Sequence, residues 1–295
     1  MDFNEFLNAV CDYINEKAED VRVSVHTAVK NNGVKLSGIS FIKEGYNASP
    51  TIYMENHYER YLSGMDVCEI GDSLLASYSE NTPPVSLDMT FFGDFEQVKD
   101  RLYIKLVNRE KNAEFLKEVP HEDFLDLAIV AYVRMYDRRI GNGIIMIRNE
   151  HLKLWNVDAK TVIAAAKVNT HDHDDYKLKH IIDVLTALGS KEEAVIETDR
   201  QDFPMYVATN TIMQNGAAVL TMKDKLKEFG RVIGEDYYII PSSVHELILL
   251  GSEGTQNVDD IDGMIRQVNS TQLCADEVLA DHAYMYSIND DVLIF

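Results

Sequence analysis

Leu127-Ala-Ile-Val-Ala-Tyr-Val-Arg-Met-Tyr136 is an apolar run rich in β-formers, closed by the turn residues Asp137-Arg-Arg-Ile-Gly-Asn-Gly143 and resumed by Ile144-Ile-Met-Ile147. Two extended runs joined by a turn read as a hairpin. Asn149 then stands where a helix cap is expected, with His151, Leu152 and Trp155 spaced to share a helix face. The phrase recurs downstream. Met205-Tyr-Val-Ala-Thr209 reads as a strand, Asn215-Gly216 as its turn, Ala217-Ala-Val-Leu220 as the return strand, and Lys223 to Phe229 as an amphipathic helix stopped by Gly230. Asn142 aligns with Gly216, Leu152 with Leu226 and Trp155 with Phe229 at one offset, which suggests an internally duplicated strand–strand–helix unit in the second half.

Working outward, residues 2–19 have the apolar spacing of an amphipathic helix, with Phe3, Phe6, Leu7, Val10 and Ile14 on one face. Val21 to Val25 and Val34 to Ile42 alternate as strands around the turn Asn31-Asn-Gly33. Asn47 to Pro50 breaks the chain, Thr51 to Met54 is a short strand, and Asn56–Leu62 and Val67–Tyr78 read as helices. Asn81-Thr-Pro-Pro84 is a loop. Helical character is expected over Phe91–Lys99, Asn112–Glu118, Thr161–Lys167, Ile181–Leu188 (ended by Gly189), Asp262–Val268 and Asp276–Leu279. Strands are expected at Arg101–Val107, Asp236–Ile240 and Tyr284–Tyr286. Val244–Leu250 is a further apolar element, residues 171–180 are a polar loop, and Ser252–Asp260 is an acidic one. Because the strands come as adjacent pairs with helices between them, the fold class is α+β, with antiparallel hairpin-derived sheets and helices packed on one face. The expected organisation is 1–80 as helix, hairpin and helices, then 90–295 as the duplicated hairpin–helix domain, with the boundary near 81–90.

At 295 residues, 46% hydrophobic and 26% charged, the chain is long enough for one large or two ordinary packed domains. The formal net charge is 28 − 49 = −21. Such a surface repels phosphate backbones and anionic lipid, so neither nucleic acid nor membrane is an expected partner. Cys11, Cys68 and Cys274 are odd in number and far apart, which fits a reducing cytoplasm rather than a disulfide framework. Neither GxGxxG nor GxxxxGK[ST] is present, and no cofactor is expected.

Several phrases together carry a resemblance. Asn47-Ala-Ser-Pro-Thr-Ile-Tyr53, Val119-Pro-His-Glu-Asp-Phe-Leu-Asp-Leu-Ala128, Met205-Tyr-Val-Ala-Thr-Asn210, Tyr238-Ile-Ile-Pro-Ser-Ser-Val-His-Glu246 and Val268-Asn-Ser-Thr-Gln272 span nearly the full chain. They resemble a family from anaerobic Firmicutes defined only as a domain of unknown function. The second half is also distantly similar to a bacillar family with hairpin–helix phrases. The resemblance implies a bacterial cytoplasmic protein and supplies no activity, ligand or catalytic residue.

Three clusters hold chemistry-bearing side chains. His171-Asp-His-Asp-Asp175 resembles the HxHxDH metal motif but ends in Tyr176. His171, His173 and Asp175 are therefore weak metal candidates, with His180 able to complete an opportunistic site. In Ile240-Pro-Ser-Ser-Val-His-Glu246, Ser243, His245 and Glu246 offer hydroxyl, imidazole and carboxylate. The plainer reading is a capping box, with Ser242 or Ser243 as the cap and Glu246 near its third position. His121, Glu122 and Asp123 suit the first turn of an element, where carboxylates meet exposed N–H groups. Binding candidates are His121, Asn210, Ser243, His245, Glu246 and Gln272. Fifteen tyrosines add amphipathic contact surface. The leading expectation is a non-enzymatic cytoplasmic binding or regulatory protein acting through contacts with another protein. The alternatives are a metal-assisted hydrolase and an acidic mimic that inhibits a DNA-binding protein.

Overall fold

The computed structural model describes residues 1–47, 50–81, 86–138, 141–187, 204–253 and 258–295. Ala48 and Ser49, Thr82 to Pro84, Arg139 and Ile140, Gly189, and Gly254 to Asn257, on which parts of the expected breaks, turns and stops fall, lie outside them. The chain divides into two units, Met1–Gly93 with Arg134–Ile144, and Asp94–Val133 with Ile145–Phe295. The first cut along the chain falls at 93/94.

In the first unit, helix α1 (Phe3–Lys17) starts in a capping box. Asp2 accepts from the Glu5 N–H at 2.9 Å while Glu5 accepts from the Asp2 N–H at 3.0 Å. Strands β1 (Arg22–Val29) and β2 (Lys35–Ile42) form an antiparallel hairpin in register from Arg22↔Ile42 to Val29↔Lys35, turned by Asn32 at φ 59° and Gly33 at φ 69°. β3 (Thr51–Tyr53) adds to β2, followed by α2 (Glu55–Leu62) and α3 (Val67–Asn81). Period-two alternation sends Val23, Ile39 and Phe41 to one sheet face. There they bury against Phe6, Val10 and Ile14 of α1 and Ile70 and Leu74 of α3, with Tyr58 and Tyr61 of α2 alongside. Phe41 stacks on Tyr78 at 4.7 Å. The opposite face carries Arg22, Ser24 and His26, all exposed, so helices do cover one face here.

The second unit holds two antiparallel sheets. Strands β4 (Leu102–Asn108), β5 (His121–Phe124), β6 (Leu127–Asp137) and β7 (Gly141–Met146) form the order β4-β6-β5, with β7 also on β6; the end of β6 and the start of β7, within Arg134–Ile144, count with the first unit. Residues Leu127 to Val133 of β6 are almost wholly inaccessible, as an apolar central strand requires. Short helices α4 (Phe95–Val98) and α5 (Ala113–Leu116) flank β4. They are followed by α6 (Asn149–Trp155) and α7 (Ala159–His173). α7 clasps β4 through Thr170, whose hydroxyl accepts from the Ile104 N–H at 2.9 Å. It also uses Asn169, which donates to the carbonyls of Lys99 at 2.6 Å and Leu102 at 3.0 Å. The six-stranded sheet comprises β8 (Tyr176–His180), β9 (Met205–Asn210), β10 (Tyr237–Ile240), β11 (Leu247–Gly251), β12 (Tyr284–Ser287) and β13 (Val292–Ile294), ordered β13-β12-β10-β11-β9-β8. Helices α8 (Ile181–Ala187), α9 (Lys223–Ile233) and α10 (Val258–Thr271) complete the unit. No described helix is long and apolar enough to cross a membrane.

The α+β class holds, with several local differences. Ala217–Leu220 is not a strand but part of a buried 3-10 segment, Gly216–Thr221. Both edges of β9 are already taken, by β8 and β11, so a return strand has nowhere to pair. The hairpin–helix phrase is therefore built only once, and the expected duplication is not seen in the fold. Asn149 is the first helical residue rather than the cap; its side chain donates to the Lys117 carbonyl at 3.0 Å. α9 runs through Gly230, which lies close to Ile288 and Tyr237, and stops at Gly234 with φ 90°. Residues 171–180 are not a loop but the last turn of α7 followed by β8. Asp276–Leu279 is not a helix: Asp276 and Glu277 lie in a turn, and Val278 and Leu279 in irregular backbone. Nor do helices stay on one face of the six-stranded sheet. Tyr237 meets α9, its hydroxyl donating to the Leu226 carbonyl at 2.8 Å, while Ile240 and Ile248 on the other face meet Ile261 and Ile265 of α10. Strands β10 and β11 are apolar on both faces, so both need cover.

Candidate functional site

The segment between β10 and β11 contains Ser243, His245 and Glu246, and it makes no helix. The Ser243 hydroxyl accepts from the His245 N–H at 3.0 Å, and the Ser243 N–H donates to the Glu246 carbonyl at 3.2 Å. This is a local hydroxyl turn rather than a capping box, because extended β11 follows directly. His245 sits at a junction. Its Nδ1 accepts from the Asn215 N–H at 3.1 Å, its carbonyl accepts from Thr209 Oγ1 at 2.8 Å, and its Nε2 lies 3.9 Å from Glu277 Oε1. Since Nδ1 accepts, the proton of the neutral ring is on Nε2, and neither nitrogen offers a free lone pair to a substrate. Asn210 lies nearby and closes its own loop. Its amide donates to Gln214 O at 2.8 Å and Asp174 Oδ2 at 3.1 Å, and its oxygen accepts from the Gln214 N–H at 3.1 Å. Ser243, His245 and Asn210 thus meet around the buried Gly216 segment, and their polar groups hold the 209–217 and 241–246 backbones together.

The other candidates stand apart from this junction. His121 is exposed on edge strand β5, not in the first turn of a helix. Its Nδ1 is 3.1 Å from the Val119 carbonyl, with Glu122 paired to Lys167 at 2.6 Å and Asp123 to Arg109 at 3.2 Å. Gln272 is exposed just beyond α10. His171 meets Asp172 at 2.8 Å and Asp224 at 2.9 Å, and these carboxylates, Asp172 foremost, push its pKa upward. His173 ends α7 and Asp175 pairs with Lys177 at 3.5 Å. His180 is buried edge-on to Tyr206 and accepts from the Ile182 N–H. Among the described residues, no group of three or more His, Cys, Asp or Glu is placed to hold a metal ion.

Two features escaped the sequence reading. The first is a partly buried network in which Asp126 Oδ2 lies 3.0 Å from His282 Nε2 and Asp126 Oδ1 accepts from the Tyr284 hydroxyl at 2.7 Å. The His282 ring packs against both Tyr284 and Phe295, which also contact each other. The hydrogen bond to Asp126 raises the His282 pKa against the opposing effect of burial. For Asp126, burial is the largest single influence and acts upward, but the bonds from His282 and Tyr284 together outweigh it and leave the carboxyl below its usual range. Burial, then the hydrogen bond to Asp126, pushes the Tyr284 pKa upward. His282 Nδ1 is 3.2 Å from the Ala283 carbonyl, so an imidazolium has an acceptor at each nitrogen. The arrangement suits a charged clamp between chain segments 156 residues apart. No local motif could reveal it.

The second feature is a groove of about 260 Å³ between α10 and the sheet. Met205, Ile240 and Ile248 form its sheet side, and Ile261, Met264, Ile265 and Val268 its helix side, with Pro241, Ser242 and Asn269 at the margin. The Asn269 amide is already committed to the Ala280 carbonyl at 2.9 Å and Asp281 at 2.8 Å. The lining is therefore almost entirely apolar. Its sequence signal, Ile261-x-x-Met264-Ile265-x-x-Val268, is that of an ordinary amphipathic helix.

No curated protein and no solved structure matches the chain. One family model matches residues 3–288, across both units, and the chain accordingly belongs to DUF5688, a family of unknown function.

Proposed function

We propose that this chain is a non-enzymatic binding protein that takes a large apolar side chain of a protein partner into the groove under α10. The observation that carries the reading is the groove itself, whose sheet and helix sides are all apolar and in which Met264 remains 57% exposed. Its volume of about 260 Å³ lies below the range typical of drug-sized ligands and suits one or two anchoring side chains. Unbranched Met205 and Met264 can adapt to such an anchor. The polar residues nearest to a site, Ser243, His245 and Asn210, are engaged with backbone, which supports binding over catalysis. A bacterial cytoplasmic setting belongs to the same proposal, supported by the sequence resemblance and by three free thiols.

Nile red, a neutral dye not repelled by a charge of −21, tests the reading. Its fluorescence should rise with the wild type and fall at least fivefold with Met264→Lys, a change at an exposed position that leaves circular dichroism unaltered. Peptides selected by display on the wild type should share a large apolar residue and displace the dye. Dye binding indifferent to Met264→Lys, or peptides that leave the dye in place, would overturn the proposal.

A further inference from the structure

Residues 21–43 contain no Asp or Glu, although the chain has 49 acidic residues in all. This acid-free stretch is the β1–β2 hairpin, and β1 is an edge. It pairs with β2 over eight residues, and among the described residues no strand pairs its other side. Beyond Val23 it carries no charged side chain, its register is unbroken by a bulge and it contains no proline, so the usual protections against strand addition are missing there.

The direction of its free backbone groups can be worked out. The Val23 N–H donates to Asn15 Oδ1 at 2.8 Å and the Val23 carbonyl accepts from Asn15 Nδ2 at 3.2 Å, so Val23 bonds away from β2. In an antiparallel pair the bonding direction alternates. Val25, Thr27 and Val29 therefore also direct N–H and C=O outward. The Asn15 amide makes at Val23 the same two-point contact that a residue of an added strand would make. It also ends the free stretch there. Beyond it, Val25 is 39% and Val29 64% exposed, and Thr27 is exposed as well.

We infer that this edge joins a second copy of the chain, β1 pairing antiparallel with β1 of its partner about a two-fold axis at Thr27. That register sets Val25 opposite the partner's Val29, Thr27 opposite the partner's Thr27, and His26 opposite the partner's Ala28. All three outward-bonding residues are used, and no like charges face each other. Two bodies each carrying −21 meet along an exposed strand within the longest segment of the chain that lacks carboxylates. A single strand pair is smaller than a standard interface, so the dimer is weak, with a dissociation constant on the order of micromolar. Long-range repulsion between the copies makes it tighten as salt is added.

Sedimentation equilibrium on the full chain between about 5 and 500 µM tests this, with a doubling of mass expected at the upper end and at lower concentration in high salt. Thr27→Pro removes only an outward N–H, leaving the β1–β2 ladder intact. It should hold the chain monomeric with unchanged circular dichroism. Thr27→Cys in a background with Cys11, Cys68 and Cys274 changed to Ser should cross-link to itself under oxidation, since directly opposed Cα atoms about 5.5 Å apart suit a disulfide. A chain that stays monomeric throughout, a dimer indifferent to Thr27→Pro, or one that weakens with salt would each overturn the inference. The last result would point instead to an oppositely charged occupant of the edge.

Discussion

His282 and Asp126 show how a residue's role depends on a partner remote in sequence. The raised pKa of His282 contributes stability that is complete below its ordinary value of 6.5 and is lost as pH rises through the raised value. The lowered pKa of Asp126 contributes stability present above its ordinary value of 3.8 and lost as pH falls through the lowered one. The advantage of the wild type over Asp126→Asn in melting temperature should therefore be greatest between about pH 4 and 6.5 and shrink on either side. A constant difference across that range would rule out the charged clamp. His245 makes a contrasting case. The sequence singled it out for its hydroxyl and carboxylate neighbours, yet the ring works mainly as an acceptor for a backbone N–H. Proximity in sequence drew attention to a residue whose ring meets partners 30 or more positions away.

At the scale of elements, Gly216–Thr221 is the clearest departure from local expectation. An Asn-Gly turn before an apolar tetrapeptide has the signature of a hairpin, but pairing requires a free edge and β9 has none. The segment instead coils into the interior, where a Cβ on Gly216 would lie 2.4 Å from Thr209 Oγ1 and 2.5 Å from the His245 carbonyl. Gly216→Ala should cost about 3 kcal/mol by denaturant titration, near the upper end for overpacking. Adding Thr209→Ala should not restore it, because the His245 carbonyl is backbone. Full rescue by that second change would show that the close approach is side-chain only. β8 and β13 were missed for the same reason as the false return strand. Tyr176–His180 alternates Lys with apolar residues in a polar neighbourhood, and its strand character comes from pairing with β9.

For the whole molecule, charge and connectivity matter most. One family model covers residues 3–288, so the helix–hairpin unit and the two-sheet unit belong to a single family region. A net charge of −21 is a self-repulsion, offset only slightly by ion pairs that are mostly exposed, such as Lys17–Asp72 at 2.5 Å. Raising salt from about 10 to 150 mM shortens the screening length from roughly 30 to 8 Å. The melting temperature at pH 7 should rise by a few degrees over that range in differential scanning fluorimetry. A fall would mean that the ion pairs contribute more than the repulsion costs.

The sequence alone determined the α+β class, the amphipathic first helix, the β1–β2 hairpin and its Asn-Gly turn, and the β6–β7 hairpin. Each depends on contacts within a few residues, and side-chain periodicity reports these directly. It also determined the charge balance and the absence of acid from residues 21–43. Only the tertiary structure decided that α9 and α10 cover opposite faces of one sheet, that Ala217–Leu220 turns inward, and that His282 meets Asp126. It likewise decided that an apolar groove remains under α10 and that, among the described residues, no strand pairs the outer edge of β1. These features depend on which surfaces are already occupied when the elements pack, and that competition joins residues far apart in the chain.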